Sequence, residues 1–266
     1  MSAAVSDTAP AELLERRDFA CRLTPDRALR TLDEAEGFLR DRGMLTRTPD
    51  CSLPSLFEAC HEGAYAPGKP GFGQWPRTKW SWSFALLRRS GVYALKIHHR
   101  RKTLYVNDEV ARIIDPIVRA EIERMADADP QWALVLEHLA AAGPSTADDL
   151  KIELGLKPRE LKAILYPLEL CGTVLTRPIG PTDEGTVEGY EYVRWDDVFE
   201  EPAQGPVGIK ELVVAGVRAA VLATEREVPR WFAWRWRTDE ELIERLVSEG
   251  RLERPAPGWL TASGCF

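Results

Sequence analysis

Residues 143–180 read GPSTADDLKIELGLKPRELKAILYPLELCGTVLTRPIG, and the punctuation of that run carries the architecture. Gly143-Pro144 stops a helix expected over Trp132 to Ala142. Ser145 stands where it would cap Thr146 to Leu154, with Asp148 in the capping-box position, and Gly155 ends that segment. Lys157-Pro158 opens a third helix, with Leu161, Ile164, Leu165 and Leu168 turned inward and Gly172 at the C′ position. Alternation then replaces the helical period: Thr173 to Ile179 reads as a strand, Gly180 to Gly189 as a turn-rich loop, and Tyr190 to Trp195 as the returning strand. Three helices followed by a hairpin is the winged-helix order, a helix-turn-helix extended by a β-ribbon.

The same order is expected downstream. Ile209 to Ala223 is apolar enough for one long helix, and Arg230 to Trp236 forms a short second one. Thr238 caps a third that carries Leu242, Ile243, Leu246 and Val247. Gly250 closes it, and Arg251–Arg254 with Trp259–Ala262 flank a Pro255–Gly258 turn. The two copies share no residue-level identity, so the repeat is one of structure.

Upstream, Thr31 and Glu34 make a capping box for a helix with Leu32, Ala35, Phe38 and Leu39 on one side, ended by Gly43. A short helix is expected after Ser52, with Leu56, Phe57 and Cys60 apolar. The Gly/Pro-rich loop Ala66–Pro76 follows, then a helical or mixed segment from Trp80 to Arg89. Tyr93, Leu95 and Ile97 share one face of a strand, and Leu104 and Val106 lie on its partner beyond the turn His99–Lys102. Asn107 or Asp108 caps a helix carrying Val110, Ile113, Ile114, Ile117, Val118 and Ile122. Pro116 is expected to kink or divide it.

These elements predict an α/β (α+β) chain, mostly helical with short β-hairpins, built of tandem winged-helix domains. The expected boundaries are a flexible N-terminal arm at 1–28, a Trp- and Arg-rich winged-helix-like module at 29–128, a winged-helix domain at 129–200 and a second at 206–266.

Charge is distributed unevenly. The chain of 266 residues has a net charge of -7, yet Gly63 to Asn107 contains no Asp or Glu and nine Lys or Arg, leaving -16 for the remainder. A nucleic acid senses the local field rather than the total, so one basic face on an acidic body is the expectation. No apolar run approaches the roughly 20 residues of a membrane span, and Met1 to Asp18 lacks the layout of a secretory signal. Cys21, Cys51, Cys60, Cys171 and Cys265 are odd in number and show no CxxC spacing, which fits reduced thiols in a cytoplasm.

Four places bring a family into view: Thr31-Leu32-Asp33-Glu34, Leu53-Pro54-Ser55-Leu56-Phe57, the Trp80-x-Trp82 pair leading into Leu86-Leu87-Arg88-Arg89, and Thr103-Leu104-Tyr105-Val106 after the basic turn. In these the chain resembles short relatives of the bacterial crosslink-repair DNA glycosylases of the AlkZ/YcaQ type, over roughly residues 29–262. The resemblance implies tandem winged helices, contact with DNA and a link to DNA repair. Active members are expected to carry two glutamines one residue apart. Here Gln74, Gln131 and Gln204 each stand alone, and Ser83 and Phe84 follow the second Trp where short relatives tend to have Lys-Asp.

The binding residues expected from the sequence fall into three groups. Arg88, Arg89, Lys96, His99, Arg100, Arg101 and Lys102 belong to the acid-free stretch, with the hairpin turn against phosphates. Lys157, Arg159 and Lys162 lie at the start of the helix that would enter the major groove. Arg235 and Arg237 sit in a Trp/Arg cluster whose tryptophans either stack on bases or fill a core. Replacing Arg100, Arg101 and Lys102 by Ala is expected to weaken DNA binding with little loss of stability.

No catalytic residue can be assigned. Asp108 or Glu109 would suit a general base, though both fit better as helix-start residues. Neighbouring His98 and His99 point to opposite strand faces and make no metal pair. Neither metal nor cofactor is expected. The partner is DNA, duplex or damaged, with no membrane; the location is the cytoplasm, in association with the nucleoid. Two other functions fit the same pattern: a monofunctional glycosylase, and a transcription-regulatory or protein-interaction module.

Overall fold

In the computed structural model, residues 11–63, 68, 81–98, 101–180, 187–205, 207–237 and 241–264 are described. The chain mixes helices with small antiparallel sheets. After α1 (Ala11–Ala20), one order of elements recurs three times.

The first unit has α2 (Leu32–Arg42), β1 (Met44–Thr46), a 3-10 turn at Glu58–Cys60 and α3 (Trp82–Ala85), which runs into a second 3-10 turn at Leu86–Arg88. It closes with β2 (Val92–His98) and β3 (Lys102–Asn107). The long helix α4 (Asp108–Ala128) leads to the second unit, made of α5 (Pro130–Ala142), β4 (Ser145–Thr146), α6 (Ala147–Glu153), α7 (Pro158–Leu170), β5 (Val174–Ile179) and β6 (Gly189–Arg194). The short α8 (Trp195–Val198) precedes the third. It comprises α9 (Ile209–Ala220), β7 (Ala223–Thr224), 3-10 turns at Val228–Arg230 and Arg235–Arg237, α10 (Leu242–Ser248), β8 (Leu252–Ala256) and β9 (Trp259–Ala262).

Each sheet has the same strand order. The last strand of a unit lies in the middle, with the short first strand on one side and its hairpin mate on the other: β1-β3-β2, β4-β6-β5 and β7-β9-β8. The strands of each sheet pair antiparallel, as between Thr176 and Tyr192 in the second sheet, and Thr46 adds an isolated parallel bridge to Ser55.

Local chemistry explains most boundaries. Thr31 accepts the Glu34 amide while the Glu34 carboxylate takes the Thr31 and Arg30 amides, the reciprocal box read from the sequence. Asn107 caps α4 through Val110 N (3.0 Å). For α6 the cap differs from expectation: Thr146 Oγ1 accepts from Asp149 N, and the Asp149 carboxylate accepts from Thr146 N. Ser145 turns its hydroxyl back to donate to Gly143 O (3.0 Å), so the cap falls to Thr146, and both residues pair with β6. Helix α4 runs unbroken through Pro116. A proline ring crowds the preceding turn, and there Ile113 O takes an outside bond from Gly208 N (3.3 Å).

The segment expected as an arm is packed from residue 11 onward. Leu13 rests on Leu222 of the third unit, and the Cys21 thiol reaches the carbonyls of Ala219 and Ala220. Leu13 and Cys21 are hidden among many charges in sequence, so no apolar period betrays them. Residues 1–10 lie outside the described residues.

The units are not beads on a string. One apolar cluster runs from Leu95, Ile97 and Leu104 in the first sheet, through Ile114, Ile117 and Val118 of α4, to Leu212 and Val217 of α9 and on to α10. Trp195, Trp231 and Trp234 are fully buried within it. Buried indole N–H groups find partners: Trp195 Nε1 donates to Asp115 Oδ1 (2.7 Å) and Trp234 Nε1 to Cys171 O (3.2 Å).

Asp115, itself buried, also accepts from Arg119 Nε (2.9 Å) and Ala203 N (2.8 Å), so it fixes the segment between the second and third units. Gly216 on α9 is held against the Trp231 ring, where an added Cβ would lie 2.8 Å from a ring carbon. Alanine is the better helix former by about 1 kcal/mol, but overpacking costs about 1–3 kcal/mol. Gly216→Ala is therefore expected to lower stability, read as a fall in the urea midpoint by tryptophan fluorescence. A rise would show that the Trp231 ring yields freely.

Candidate nucleic-acid interface

The hairpin β2–β3 projects from the first unit onto the second. Its Lys96 forms an ion pair with Glu169 of α7 and donates to Thr176 Oγ1 (3.0 Å), while Arg101 pairs with the other oxygen of the same carboxylate. Glu169 is only 2 % exposed. The Arg101 guanidinium also lies 4.9 Å over the Tyr166 ring, a side chain 48 % exposed on α7. Burial pushes the Lys96 ammonium below its usual range, and Glu169 beside it offsets only part of that shift.

Two more cations of the acid-free stretch also meet carboxylates from elsewhere in the chain, while Lys69, Arg77 and Lys79 lie outside the described residues. Arg89 pairs with Asp33 (2.7 Å) and Glu36 (3.4 Å) of α2, and Lys102 with Asp50. Arg88 is exposed at the end of its 3-10 turn. His99 and Arg100 lie outside the described residues, as does the side chain of Arg235. A run without acids in sequence is thus not a region without acids in space. This corrects the expectation that the hairpin cations stand free of structural duty.

Lys157, Arg159 and Lys162 are exposed on the N-terminal half of α7. Glu160, which in sequence offsets their charge, is turned back to accept Lys157 N (2.8 Å) as part of the cap. A cavity of about 290 Å³ opens between α6, α7 and β6, lined by Arg101, Lys151, Lys162, Leu165, Glu169 and Tyr192 among others. The structure therefore brings the hairpin cation Arg101 together with Lys162 and with Lys151, which the sequence did not single out. Arg89, at the end of the 3-10 turn Leu86–Arg88, is held instead by the α2 carboxylates and does not line that cavity. Arg101 and Tyr166 are separated by 65 positions, so no local pattern could have joined them.

Arg237 belongs to a different cluster. It holds Glu121 of α4 (2.6 Å) together with Arg124 (2.6 Å), and Trp236 Nε1 adds a bond (3.2 Å). Trp236 is 54 % exposed under the Arg124 guanidinium, whereas Trp231 and Trp234 fill the core. Burial acts to raise the Glu121 pKa, but the bonds from Arg124, Arg237 and Trp236 outweigh it and hold the carboxyl below its ordinary value of 4.5.

The other polar candidates have structural partners. His98 Nδ1 lies 2.7 Å from Trp231 O, and its Nε2 faces the Cys51 sulfur at 3.9 Å. Burial raises the Cys51 and Cys171 thiols to about 12 and Cys21 to about 11, so at neutral pH none is a thiolate nucleophile. Asp108 accepts the Tyr93 hydroxyl (2.9 Å) in the first turn of α4. Among the described residues no group of three or more His, Cys, Asp or Glu could hold a metal ion, and no helix is long and apolar enough to cross a membrane.

Comparison with protein-family models, with curated proteins and with solved structures finds no match.

Two outcomes follow from this geometry. Arg101→Ala leaves a buried carboxylate with one cation fewer, and is expected to lower unfolding stability by about 1–3 kcal/mol; an unchanged urea midpoint would mean Lys96 suffices alone. Glu121 has a depressed folded pKa, so its contribution is complete above its ordinary value and disappears as pH falls through the lower folded value. Glu121→Gln should therefore be destabilised at pH 7 by about 3 kcal/mol, with the gap to the parent closing in acid, below the ordinary carboxyl value of 4.5. A gap independent of pH would place the effect in packing instead.

Proposed function

We propose that this chain is a DNA-binding protein of three tandem winged helices, with α7 and the β2–β3 hairpin tip as its main contact with duplex or damaged DNA. The thrice-repeated order of helix, strand, two helical segments and hairpin, with the last strand central, supports the winged-helix reading. In that scheme α7 occupies the place of the recognition helix, whose first turns enter the major groove.

The observation that carries the reading is the exposure of Lys157, Arg159 and Lys162 at the start of α7, with Lys162 lining one cavity together with Arg101 and Lys151. Among the described residues the one carboxylate lining that cavity, Glu169, is sealed beneath and already met by two cations. Arginine and lysine in this placement suit phosphates and guanine edges.

A link to DNA repair rests on the resemblance to the AlkZ/YcaQ-type glycosylases, and it would place the protein on the nucleoid of the cytoplasm. The paired glutamines implied for base excision are missing from the sequence, so binding rather than excision is the activity proposed.

Fluorescence anisotropy with a labelled duplex across a salt series tests this. Each phosphate contact contributes roughly 0.9 to the slope of log K against log salt. The triple variant Lys157→Ala, Arg159→Ala, Lys162→Ala should weaken binding and flatten the slope by about one contact per lost cation that touches the backbone. Arg89→Ala should leave the slope alone. Undetectable binding at low salt, or an unchanged slope in the triple variant, sinks the proposal in favour of a protein-contact module. Alkali-labile breaks in alkylated or crosslinked DNA would instead establish a glycosylase.

A further inference from the structure

A second cavity, of about 260 Å³, lies on the inner side of the same hairpin, between the first unit and the β5–β6 ribbon of the second. Its composition is unlike that of an ordinary seam between packed units. Phe84 and Tyr190 approach from opposite units with ring centroids 6.3 Å apart, and Tyr190 is 45 % exposed. Leu87, Val174 and Pro178 supply apolar wall, while Arg47 and Lys96 line it as cations and the hydroxyls of Thr103 and Thr176 add polar points. Among the described residues no carboxylate lines it.

We propose that this cavity binds a small free aromatic acid, a ligand of one or two fused rings bearing a single anionic group. Size sets the first limit. Pockets for drug-sized ligands run from roughly 300 to 1,000 Å³, so 260 Å³ admits a compact ring system and little more. Chemistry sets the second. Phe84 and Tyr190 offer ring faces and edges for offset or edge-on packing. Lys96, 28 % exposed, shares the single charge of Glu169 with Arg101, so with Arg47 in the same lining positive charge is in excess there for an anionic group. Few mostly apolar walls with a small number of convergent polar groups are the usual form of a small-molecule site. This inference stands apart from the DNA reading and is tested without DNA.

The probe is 1-naphthoate, followed by its own fluorescence on titration with the full chain. Acetate and 1-naphthalenemethanol serve as the ring-only and charge-only comparisons in reverse: acetate has the anion without rings, the alcohol has the rings without the anion. Saturable binding of 1-naphthoate is expected, with the alcohol at least tenfold weaker and acetate not competing at equal concentration. Tyr190→Ala, on an exposed strand position, should weaken naphthoate at least fivefold while the fold is kept. Ala94→Leu should fill the space and abolish the site, with circular dichroism confirming that the chain still folds. Absence of saturable binding to the parent overturns the proposal, as does equal affinity for the alcohol. Binding unaffected by both variants overturns it too, since it would put the ligand elsewhere. If a short single-stranded oligonucleotide, and not 1-naphthoate, protects Tyr190 from iodination, the cavity serves a strand of nucleic acid and the free-ligand proposal fails.

Discussion

A carboxylate sealed from water has to be met by cations and N–H donors, because an uncompensated buried charge costs several kcal/mol. Asp115, Glu121 and Glu169 are three such groups, and each is answered from beyond its own helix. Asp115 gathers Trp195 and Ala203 from the segment that leaves the second unit. Glu121 takes Arg237 from the third unit. Glu169 takes Lys96 and Arg101 from the first. The mutual arrangement of the three units thus follows from the need to neutralise a few side chains on α4 and α7, with the shared apolar cluster supplying most of the attraction.

That dependence explains what the sequence could and could not disclose. Capping boxes, terminal glycines and apolar periods act over three or four residues, so α2, α5, α7 and α9 were legible, as were the hairpins. Where two hydroxyls adjoin, as at Ser145 and Thr146, the first is taken by Gly143 O and the second caps, a division that residue type alone does not contain. The packed N-terminal helix escaped because its buried contacts, Leu13 on Leu222 and Cys21 on Ala219, close across some two hundred positions. The candidate site suffered most. Absence of acids between Gly63 and Asn107 is a fact of the sequence, but Asp33, Asp50 and Glu169 arrive beside those cations through the fold. Charge in a stretch of chain and charge on a surface are different quantities, related only through tertiary structure.

Among the described residues no carboxylate forms an ion pair with Lys157, Arg159 or Lys162, and the reason is geometric. Its apolar residues Leu161, Ile164, Leu165 and Leu168 face the core of the second unit, which turns Lys157, Arg159 and Lys162 outward. The one acidic side chain in its first turn is committed to capping. A helix start also carries unpaired amides and the positive end of the helix dipole. Exposed lysine and arginine there reinforce a field that the backbone already provides.

Glu169 has a further property that comes from where its two oxygens point. Oε1 serves Lys96 and Thr176 on the inward side of the hairpin, and Oε2 serves Arg101 on the outward side. The two sides therefore draw on a single negative charge. If electron density at one oxygen is drawn harder toward its partner, the other is left with a weaker acceptor, and the Arg101 guanidinium has that much less to hold it over Tyr166. A rearrangement of a few tenths of an ångström within the seam would be felt at the solvent face without any unit moving as a body.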